Sequence, residues 1–167
     1  MEHWKNRLWT MPLALLAGGI VMRGLTFFVV KLLMGASKEW TLEMGRQSAL
    51  VLGFLALLIL AGTAVLLRRL CLRPVLWKSA WIMVAYNFIV LALEQLSQHF
   101  DFFGFTLVYY LYLPQEAFNS LRSALLSALP AGPDWLLWAT AIVSQLLPLI
   151  FIPVGRKPHP ISLEKRS

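Results

Sequence analysis

Charged residues are scarce in this sequence. Only 14% of its 167 residues are Asp, Glu, Lys or Arg and 59% are hydrophobic, whereas a soluble domain is about a quarter charged. A chain of this length forms one domain, and one soluble core cannot bury so much apolar surface. The composition excludes an ordinary soluble protein and indicates that much of the surface faces lipid.

Residues that carry catalytic or redox chemistry are also few. A single cysteine, Cys71, excludes an intramolecular disulfide, and only three histidines are present. The H-E-x-x-H, G-x-S-x-G, Walker A and G-x-G-x-x-G motifs are absent. His99 lies near Asp101 and Glu94, which suits a metal or proton site less well than a solvated loop edge. We therefore expect no enzymatic activity, no cofactor and no metal.

Acidic residues are few: eight Asp and Glu stand against 15 Lys and Arg, which gives a net charge of +7. An excess of this sign is also found in nucleic-acid-binding proteins. Here, however, Lys and Arg flank the apolar runs, which is the pattern of membrane topology. We therefore expect the protein to lie in a lipid bilayer and not to bind nucleic acid.

The apolar residues are concentrated in four runs of about 20 residues, the length that crosses the hydrocarbon core of a bilayer. They cover residues 8–30, 48–67, 79–98 and 135–154. The first run is too long for a typical signal peptide and is expected to be an uncleaved span. The sequence predicts an all-α fold, a single membrane domain over residues 1–167 with four transmembrane helices and a polar tail at 156–167.

Basic residues predict how these helices are oriented. Ten of the 15 Lys and Arg fall in the N-terminus, the 68–78 loop and the C-terminal tail, and four fall on the opposite side. Cytoplasmic loops retain Lys and Arg, so both termini are expected in the cytoplasm, with the plasma membrane as the site of insertion. All seven tryptophans lie at or near span ends, where their amphipathic rings prefer to sit.

The longest connection precedes the last span and holds an outer amphipathic segment at about 102–129. Residues 102–113 are apolar but too few to cross a bilayer, so this part is re-entrant, interfacial or an extension of the third helix. Pro114 and Pro130 then bound a short amphipathic helix that either lies flat on the outer leaflet or caps the bundle. Its polar face holds Glu116, Asn119, Ser123 and Ser127.

Polar residues inside the spans mark the interior of a helical bundle, because lipid offers them no hydrogen-bond partner. The second span carries only Gly62 and Thr63 and is expected to be the most lipid-facing. Gly19, Arg23 and Thr26 share one face of the first span, and polar stripes follow the third and fourth. The candidates for an intramembrane polar pair or path are Arg23, Asn87, Glu94, Gln98, Thr140 and Ser144.

Arg23 and Glu94 are predicted to lie at similar depth in the outer half of the membrane. Either charge alone in hydrocarbon costs about 3 kcal/mol on insertion scales. We therefore hypothesise a direct Arg23–Glu94 pair, either as a structural bridge or as part of a pathway for an ion, a proton or an anionic solute. Arg23 extending to the surface is a further alternative.

Two functions are compatible with these patterns. The favoured prediction is a non-enzymatic accessory or scaffold subunit that acts through helix contacts, with itself or within a larger membrane complex. The alternative is a small transporter or channel subunit with a polar path formed by Arg23, Glu94 and Asn87. Because four helices rarely enclose such a path alone, that alternative predicts a homo-oligomer.

Overall fold

A computed structural model describes residues 8–35, 39–100, 105–129 and 134–156. Of these residues, 91% are helical and none forms a strand. The six α-helices are α1 (Thr10–Met34), α2 (Leu42–Leu70), α3 (Arg73–Phe100), α4 (Phe105–Leu111), α5 (Glu116–Ala128) and α6 (Asp134–Leu146), with 3₁₀ turns at Leu113–Gln115 and Leu147–Val154.

Four of these helices are long and apolar enough to cross a membrane. They are α1, α2, α3 and the continuous helical stretch Trp135–Val154, in which α6 runs into the second 3₁₀ turn. The prediction of an all-α fold with four such helices is confirmed. The polar tail lies mostly outside the described residues.

The helix ends follow local sequence signals. The Thr41 hydroxyl caps the N-terminus of α2 by accepting a hydrogen bond from the Met44 amide at 3.2 Å. Arg68 and Arg69 lie in the last turn of α2, where a positive charge complements the helix dipole. The helices therefore end close to the charge clusters that delimit the apolar runs.

Three segments that the basic residues assigned to one side meet at one end of the bundle. The Arg73 amide donates to the Arg156 carbonyl at 2.9 Å, and the Arg156 amide donates to the Cys71 carbonyl at 3.3 Å. Nearby, the Ser79 hydroxyl donates to the Leu8 carbonyl at 2.8 Å. We call this end, defined by Leu8, residues 68–73 and Arg156, the basic end; the end where α3 and α5 terminate is the hairpin end.

The second span is not the least buried of the four, although its low polarity predicted that it would be the most lipid-facing; α1 buries a smaller share of its apolar stretch. α2 packs along both α1 and α5 and buries a seam of mostly small and aliphatic residues. Gly53 meets the Ala124 methyl group of α5, and a Cβ added to Gly18 of α1 would lie 3.1 Å from the Ile59 side chain. Small residues permit this close approach, so one face of the helix is covered by protein without needing polar side chains. The other face, which includes Phe54, Leu58 and Val65, is exposed.

Residues 105–129 form a helical hairpin inserted among the long helices. α4 and α5 are its two arms, and its turn, Leu113–Gln115, places the Leu113 carbonyl against Gly19 in the middle of α1. From the turn, α5 runs back along α2, and the Phe118 ring packs 6.3 Å from the Phe151 ring. The hairpin thereby brings its polar residues to the midpoint of the bundle.

The last span changes from α-helix to 3₁₀-helix next to Pro148. Proline has no amide hydrogen, so it cannot donate to the Gln145 carbonyl three residues earlier. The Asn87 side-chain amide of α3 donates to that carbonyl instead, at 3.2 Å. This bond satisfies the backbone at the break and joins α3 to α6.

Candidate functional site

Arg23 lies near the middle of α1 and is held by the hairpin. Its Nη2 donates to the Glu116 carboxylate at 2.7 Å, and its Nη1 donates to the Tyr109 carbonyl at 3.0 Å. The guanidinium carbon also lies 3.7 Å from the centre of the Tyr109 ring. An ion pair, a backbone contact and a cation–π contact thus converge on one side chain.

The break between α4 and α5 explains this arrangement. The last carbonyls of a helix have no partner within it, and they carry the negative end of the helix dipole. Arg23 satisfies the Tyr109 carbonyl, and the Tyr86 hydroxyl donates to the Leu111 carbonyl at 2.7 Å. Glu116 begins α5, where a negative charge is favoured. Arg23 therefore bridges the end of one arm of the hairpin and the start of the other.

The direct Arg23–Glu94 pair expected from the sequence does not form. Glu94 instead accepts a hydrogen bond from the Tyr112 hydroxyl, and Arg23 pairs with Glu116. The sequence placed Glu116 outside the membrane because its amphipathic segment is too short to cross. The inserted hairpin carries Glu116 to the depth of Arg23, where it takes the position assigned to Glu94. The arginine does not reach outward, since its side chain is only 20% exposed.

Arg23 and Glu94 nevertheless face the same cavity, which has a volume of about 430 Å³. Its walls come from α1, α3, both arms of the hairpin and α6. Besides Leu and Val side chains, the lining contains two arginines, two glutamates and several neutral polar groups. Those polar residues are Arg23, Glu94, Ser97, Gln98, Tyr109, Tyr112, Glu116, Asn119, Arg122, Ser123 and Gln145.

The cavity extends from the hairpin end to the middle of the bundle. Arg23 lies eleven residues before the end of α1, and Gln145 lies eleven residues after the start of α6. Each is therefore about 16 Å from that end, at 1.5 Å per residue. At the other extreme, Gln98 and Ser123 line the cavity, are exposed, and lie close to the ends of α3 and α5.

Arg23, Tyr109 and Glu116 also separate this cavity from a groove on the side of the molecule. The groove lies between α1 and the hairpin and shares these three residues with the cavity. Its other walls are largely apolar and include Ile20, Phe27, Val30 and Leu113. The ion pair thus forms a partition between a polar cavity and an apolar lateral groove, which we call the lateral groove.

The remaining sequence candidates divide into two groups. Gln98 lines the cavity, as the polar-path hypothesis required. Asn87, Thr140 and Ser144 do not line it. Asn87 holds the Gln145 carbonyl, while Thr140 and Ser144 donate to carbonyls one turn earlier in α6, at 3.0 and 2.7 Å. These three side chains satisfy the backbone of the last span.

Several cavity residues were not singled out from the sequence. Arg122 and Tyr112 lie on the hairpin, as do Glu116 and Asn119, which had been assigned to a surface polar face. The periodic polar face of α5 was a usable signal, because a polar stripe marks a polar environment. That environment proved to be a cavity open at the hairpin end, and helical periodicity does not distinguish such a cavity from bulk water.

Five buried polar side-chain atoms lack a hydrogen-bond partner within the described chain. Three belong to residues that line the cavity, namely Nε of Arg23, Nε of Arg122 and Oε1 of Gln145, and two, Oδ1 of Asn87 and Nε2 of Gln115, belong to residues that do not line it. Gln145 and Asn87 are 2% and 1% exposed. Because buried polar groups are nearly always paired, these atoms indicate space for water or a ligand.

Other potentially reactive groups lie apart from this cavity. Cys71 is buried at the basic end. The His99 ring Nδ1 lies 3.0 Å from the Gln95 carbonyl, and Asp101, its suggested partner, is outside the described residues. Among the residues that the structure describes, no three His, Cys, Asp or Glu side chains are grouped to hold a metal. The cavity is therefore the candidate site.

Comparison with protein-family models, curated proteins and solved structures gives no match to this chain. Its function is accordingly argued from the geometry of the cavity.

Proposed function

We propose that this chain is an integral protein of the plasma membrane with both termini in the cytoplasm. Four sufficiently long apolar helices and the collection of basic residues at one end of the bundle support this proposal. In this orientation the hairpin end faces outward, and residues 105–129 are a re-entrant hairpin. Internal partners for the backbone carbonyls of its turn suit such a hairpin, because exposed carbonyls are not tolerated in lipid.

We further propose that the protein is a small-solute transporter or channel subunit. One observation carries this proposal: a cavity of about 430 Å³, lined by charged and polar side chains, runs from the outward end to the middle of the bundle. Pockets for small molecules commonly have volumes of about 300–1,000 Å³. Solute sites in membrane transporters typically lie near the bilayer midplane beside interrupted helices.

Two interrupted helical elements flank the cavity. The hairpin reverses at Leu113–Gln115 beside Arg23, and the last span changes helix type at Leu147, close to Gln145. Both breaks leave polar backbone that is satisfied by side chains of other helices. The site therefore resembles a midplane solute site in construction as well as in depth.

An accessory or scaffold role remains the competing proposal. Such a protein requires complementary helix surfaces and gains nothing from a polar cavity. Four charged side chains lining one cavity weaken a bundle whose only task is helix packing, because each charge is costly in a membrane. A purely structural Arg23–Glu116 bridge would be expected in a packed interior, and the adjoining cavity favours solute binding.

The cavity is formed within one chain. Its lining comes from α1, α3, α4, α5 and α6. The sequence-based expectation that an oligomer is needed to enclose a polar path therefore does not apply to the site itself. We propose that each subunit binds solute independently, whether or not subunits associate.

A swelling assay tests transport of neutral, zwitterionic, anionic and cationic solutes in one format. Purified protein is reconstituted into liposomes, which are transferred to isosmotic urea, glycine, acetate or ethylamine. Entry of a solute draws in water and lowers light scattering. We expect the wild-type protein to accelerate swelling with at least one solute class. Glu94→Gln, which removes a cavity charge, should reduce the rate at least tenfold.

Glu43→Gln is the matched control, because Glu43 is an exposed residue in the first turn of α2. It should swell at the wild-type rate. If folded wild-type protein swells no faster than protein-free liposomes in all four solutes, transport is refuted and the accessory role is favoured.

A further inference from the structure

We propose that the cavity binds a small zwitterion, which is a molecule with one anionic group and one ammonium group. The inference rests on the proposed solute-binding function and specifies the chemistry of the ligand. It is carried by the two cavity charges that have no ionic partner within the described chain, Arg122 and Glu94, together with the orphaned Gln145 oxygen.

The four cavity charges divide into one ion pair and two charges that have no ionic partner among the described residues. Arg23 and Glu116 neutralise each other through their 2.7 Å ion pair. Among the described residues, Arg122 forms no ion pair, and its Nε, like that of Arg23, is buried without a hydrogen-bond partner. Glu94 likewise lacks a cationic partner within the described chain and is hydrogen-bonded by the Tyr112 hydroxyl. One positive and one negative charge therefore remain for a ligand.

Gln145 extends this pattern. Its side chain is 2% exposed and lines the cavity, and its Nε2 donates to the Ala141 carbonyl at 2.9 Å. This bond fixes the amide so that Oε1 is the free atom, and that oxygen has no partner among the residues that the structure describes. A buried acceptor left unsatisfied destabilises the protein unless a ligand or water donates to it. An ammonium group supplies such a donor.

The arrangement discriminates between ligands by charge. A simple anion would pair with Arg122 but would be repelled by Glu94. A simple cation would pair with Glu94 but would be repelled by Arg122, and a neutral solute would leave both charges unpaired. A zwitterion satisfies both side chains, because its anionic group accepts from the guanidinium and its ammonium donates to the carboxylate and to Gln145.

Two sources can supply this chemistry. One is a free solute of the amino-acid type, entering from the exposed end near Gln98 and Ser123. The other is the headgroup of a zwitterionic phospholipid, whose phosphate and ammonium groups present the same pair of charges. The lateral groove, with its apolar walls of Ile20, Phe27 and Val30, would then lie beside the acyl chains.

A series of four probes of similar size tests the charge preference on the unmodified protein. The probes are 4-aminobutyrate, butyrate, butylamine and butyramide, titrated into purified protein in detergent by calorimetry. We expect 4-aminobutyrate to bind at least tenfold more tightly than each of the other three. The reason is that each of these leaves at least one cavity charge unpaired, and hydrogen bonds to charged groups are worth about tenfold or more in affinity.

Variants then show which group of the ligand each of the two charged residues binds. Arg122→Gln should weaken 4-aminobutyrate binding at least tenfold and make butylamine the preferred probe. Glu94→Gln should weaken it similarly and make butyrate preferred. Arg46→Gln and Glu43→Gln, which alter exposed charges at the start of α2, should leave the series unchanged. A reversal of preference separates a charge contact from general destabilisation.

The lipid source is tested by repeating the titration in nanodiscs. Competition with 4-aminobutyrate by phosphatidylethanolamine, and none by phosphatidylglycerol, identifies a lipid headgroup as the occupant. Equal binding of 4-aminobutyrate in both lipids identifies a free solute as the occupant. Either result supports the zwitterion proposal. Equal affinity for all four probes, or no binding of 4-aminobutyrate or phosphatidylethanolamine, overturns it. If the swelling assay is positive in that case, only the ligand assignment fails.

Discussion

Arg23 illustrates how a single charged residue is accommodated in an apolar helix. Its guanidinium satisfies a carbonyl at the end of α4, neutralises the carboxylate at the start of α5 and stacks on Tyr109. The planar, multiply donating guanidinium suits these three tasks, which a lysine ammonium cannot perform together. The charge is therefore explained by the hairpin turn that it holds, and its position beside the cavity follows from that task.

The first prediction separates the observed ion pair from the one expected from sequence. Arg23→Glu and Glu116→Arg should each reduce the abundance of folded protein, because an unpaired charge costs about 3 kcal/mol on insertion scales. Combining them restores opposite charges at the position of the native 2.7 Å ion pair and should recover much of the abundance. Fluorescence-detected size-exclusion chromatography of solubilised membranes measures the folded fraction.

The control is the exchange of Arg23 with Glu94. The double variant Arg23→Glu with Glu94→Arg leaves Glu116 facing a second carboxylate. Its abundance of folded protein should therefore be no higher than that of the less abundant single variant. If folded protein recovers in this double variant but not in the Arg23–Glu116 exchange, the Arg23–Glu116 ion pair is contradicted.

At the scale of elements, the hairpin determines the architecture of the molecule. It packs against both α1 and α2, brings six polar residues to the cavity and covers one face of α2. Its insertion depends on small residues in the long helices. Gly19 accommodates the Leu113 carbonyl at the turn, and Gly53 accommodates Ala124 of α5.

The second prediction concerns this docking. In Gly19→Ala, the added methyl group would occupy the position of the Leu113 carbonyl, so the turn must shift. Overpacking of this kind costs about 1–3 kcal/mol. We expect Gly19→Ala to lower the melting temperature of the purified protein and to weaken binding of 4-aminobutyrate in the cavity.

Gly24→Ala provides the comparison on the same helix. A Cβ at Gly24 meets no described atom within 4 Å, and alanine favours helix over glycine by up to about 1 kcal/mol. Its melting temperature should stay level or rise. Equal melting temperatures for the Gly19→Ala and Gly24→Ala variants would show that the turn does not rest against α1.

Elements that depend on local patterns were predictable from the sequence. Apolar runs identified the four long helices. Pro114 marked the start of a short amphipathic helix close to the observed start of α5 at Glu116. Each of these features is encoded by residues that are close together in the sequence.

Tertiary partnerships were not predictable in the same way. Glu116 and Glu94 offered Arg23 equivalent carboxylates, and the choice depended on where a 25-residue segment folded in three dimensions. The burial of α2 was missed for a related reason: an apolar helix surface suits lipid and a protein neighbour equally. Arg122 and Glu94, which have no ionic partner among the described residues, became meaningful only when the structure brought them to one cavity.

At the scale of the whole molecule, one chain combines a four-helix apolar framework with an off-centre polar cavity. The framework is joined at the basic end by the contacts of Cys71, Arg73 and Arg156. The cavity occupies the opposite half of the bundle, where the two short helices of the hairpin, α4 and α5, pack among the long helices. Alternating access, if the protein transports, would require movement of the hairpin relative to α1, with Arg23, Tyr109 and Glu116 as the partition that breaks.

The central claim is that water from outside reaches deep into the bundle along the hairpin. Cysteine labelling in intact cells tests this most directly, in a background in which Cys71→Ser removes the native thiol. Asn119→Cys places a thiol in the cavity, nine residues before the end of α5. Ile142→Cys places one at a comparable depth, eight residues after the start of α6, on an exposed apolar surface.

Thiols react with a charged, membrane-impermeant maleimide only where water allows them to ionise. The account predicts that Asn119→Cys is labelled from outside and that Ile142→Cys is not. An unreactive Asn119→Cys in a folded, surface-inserted protein, or equal labelling at both positions, would contradict an outward-open polar cavity.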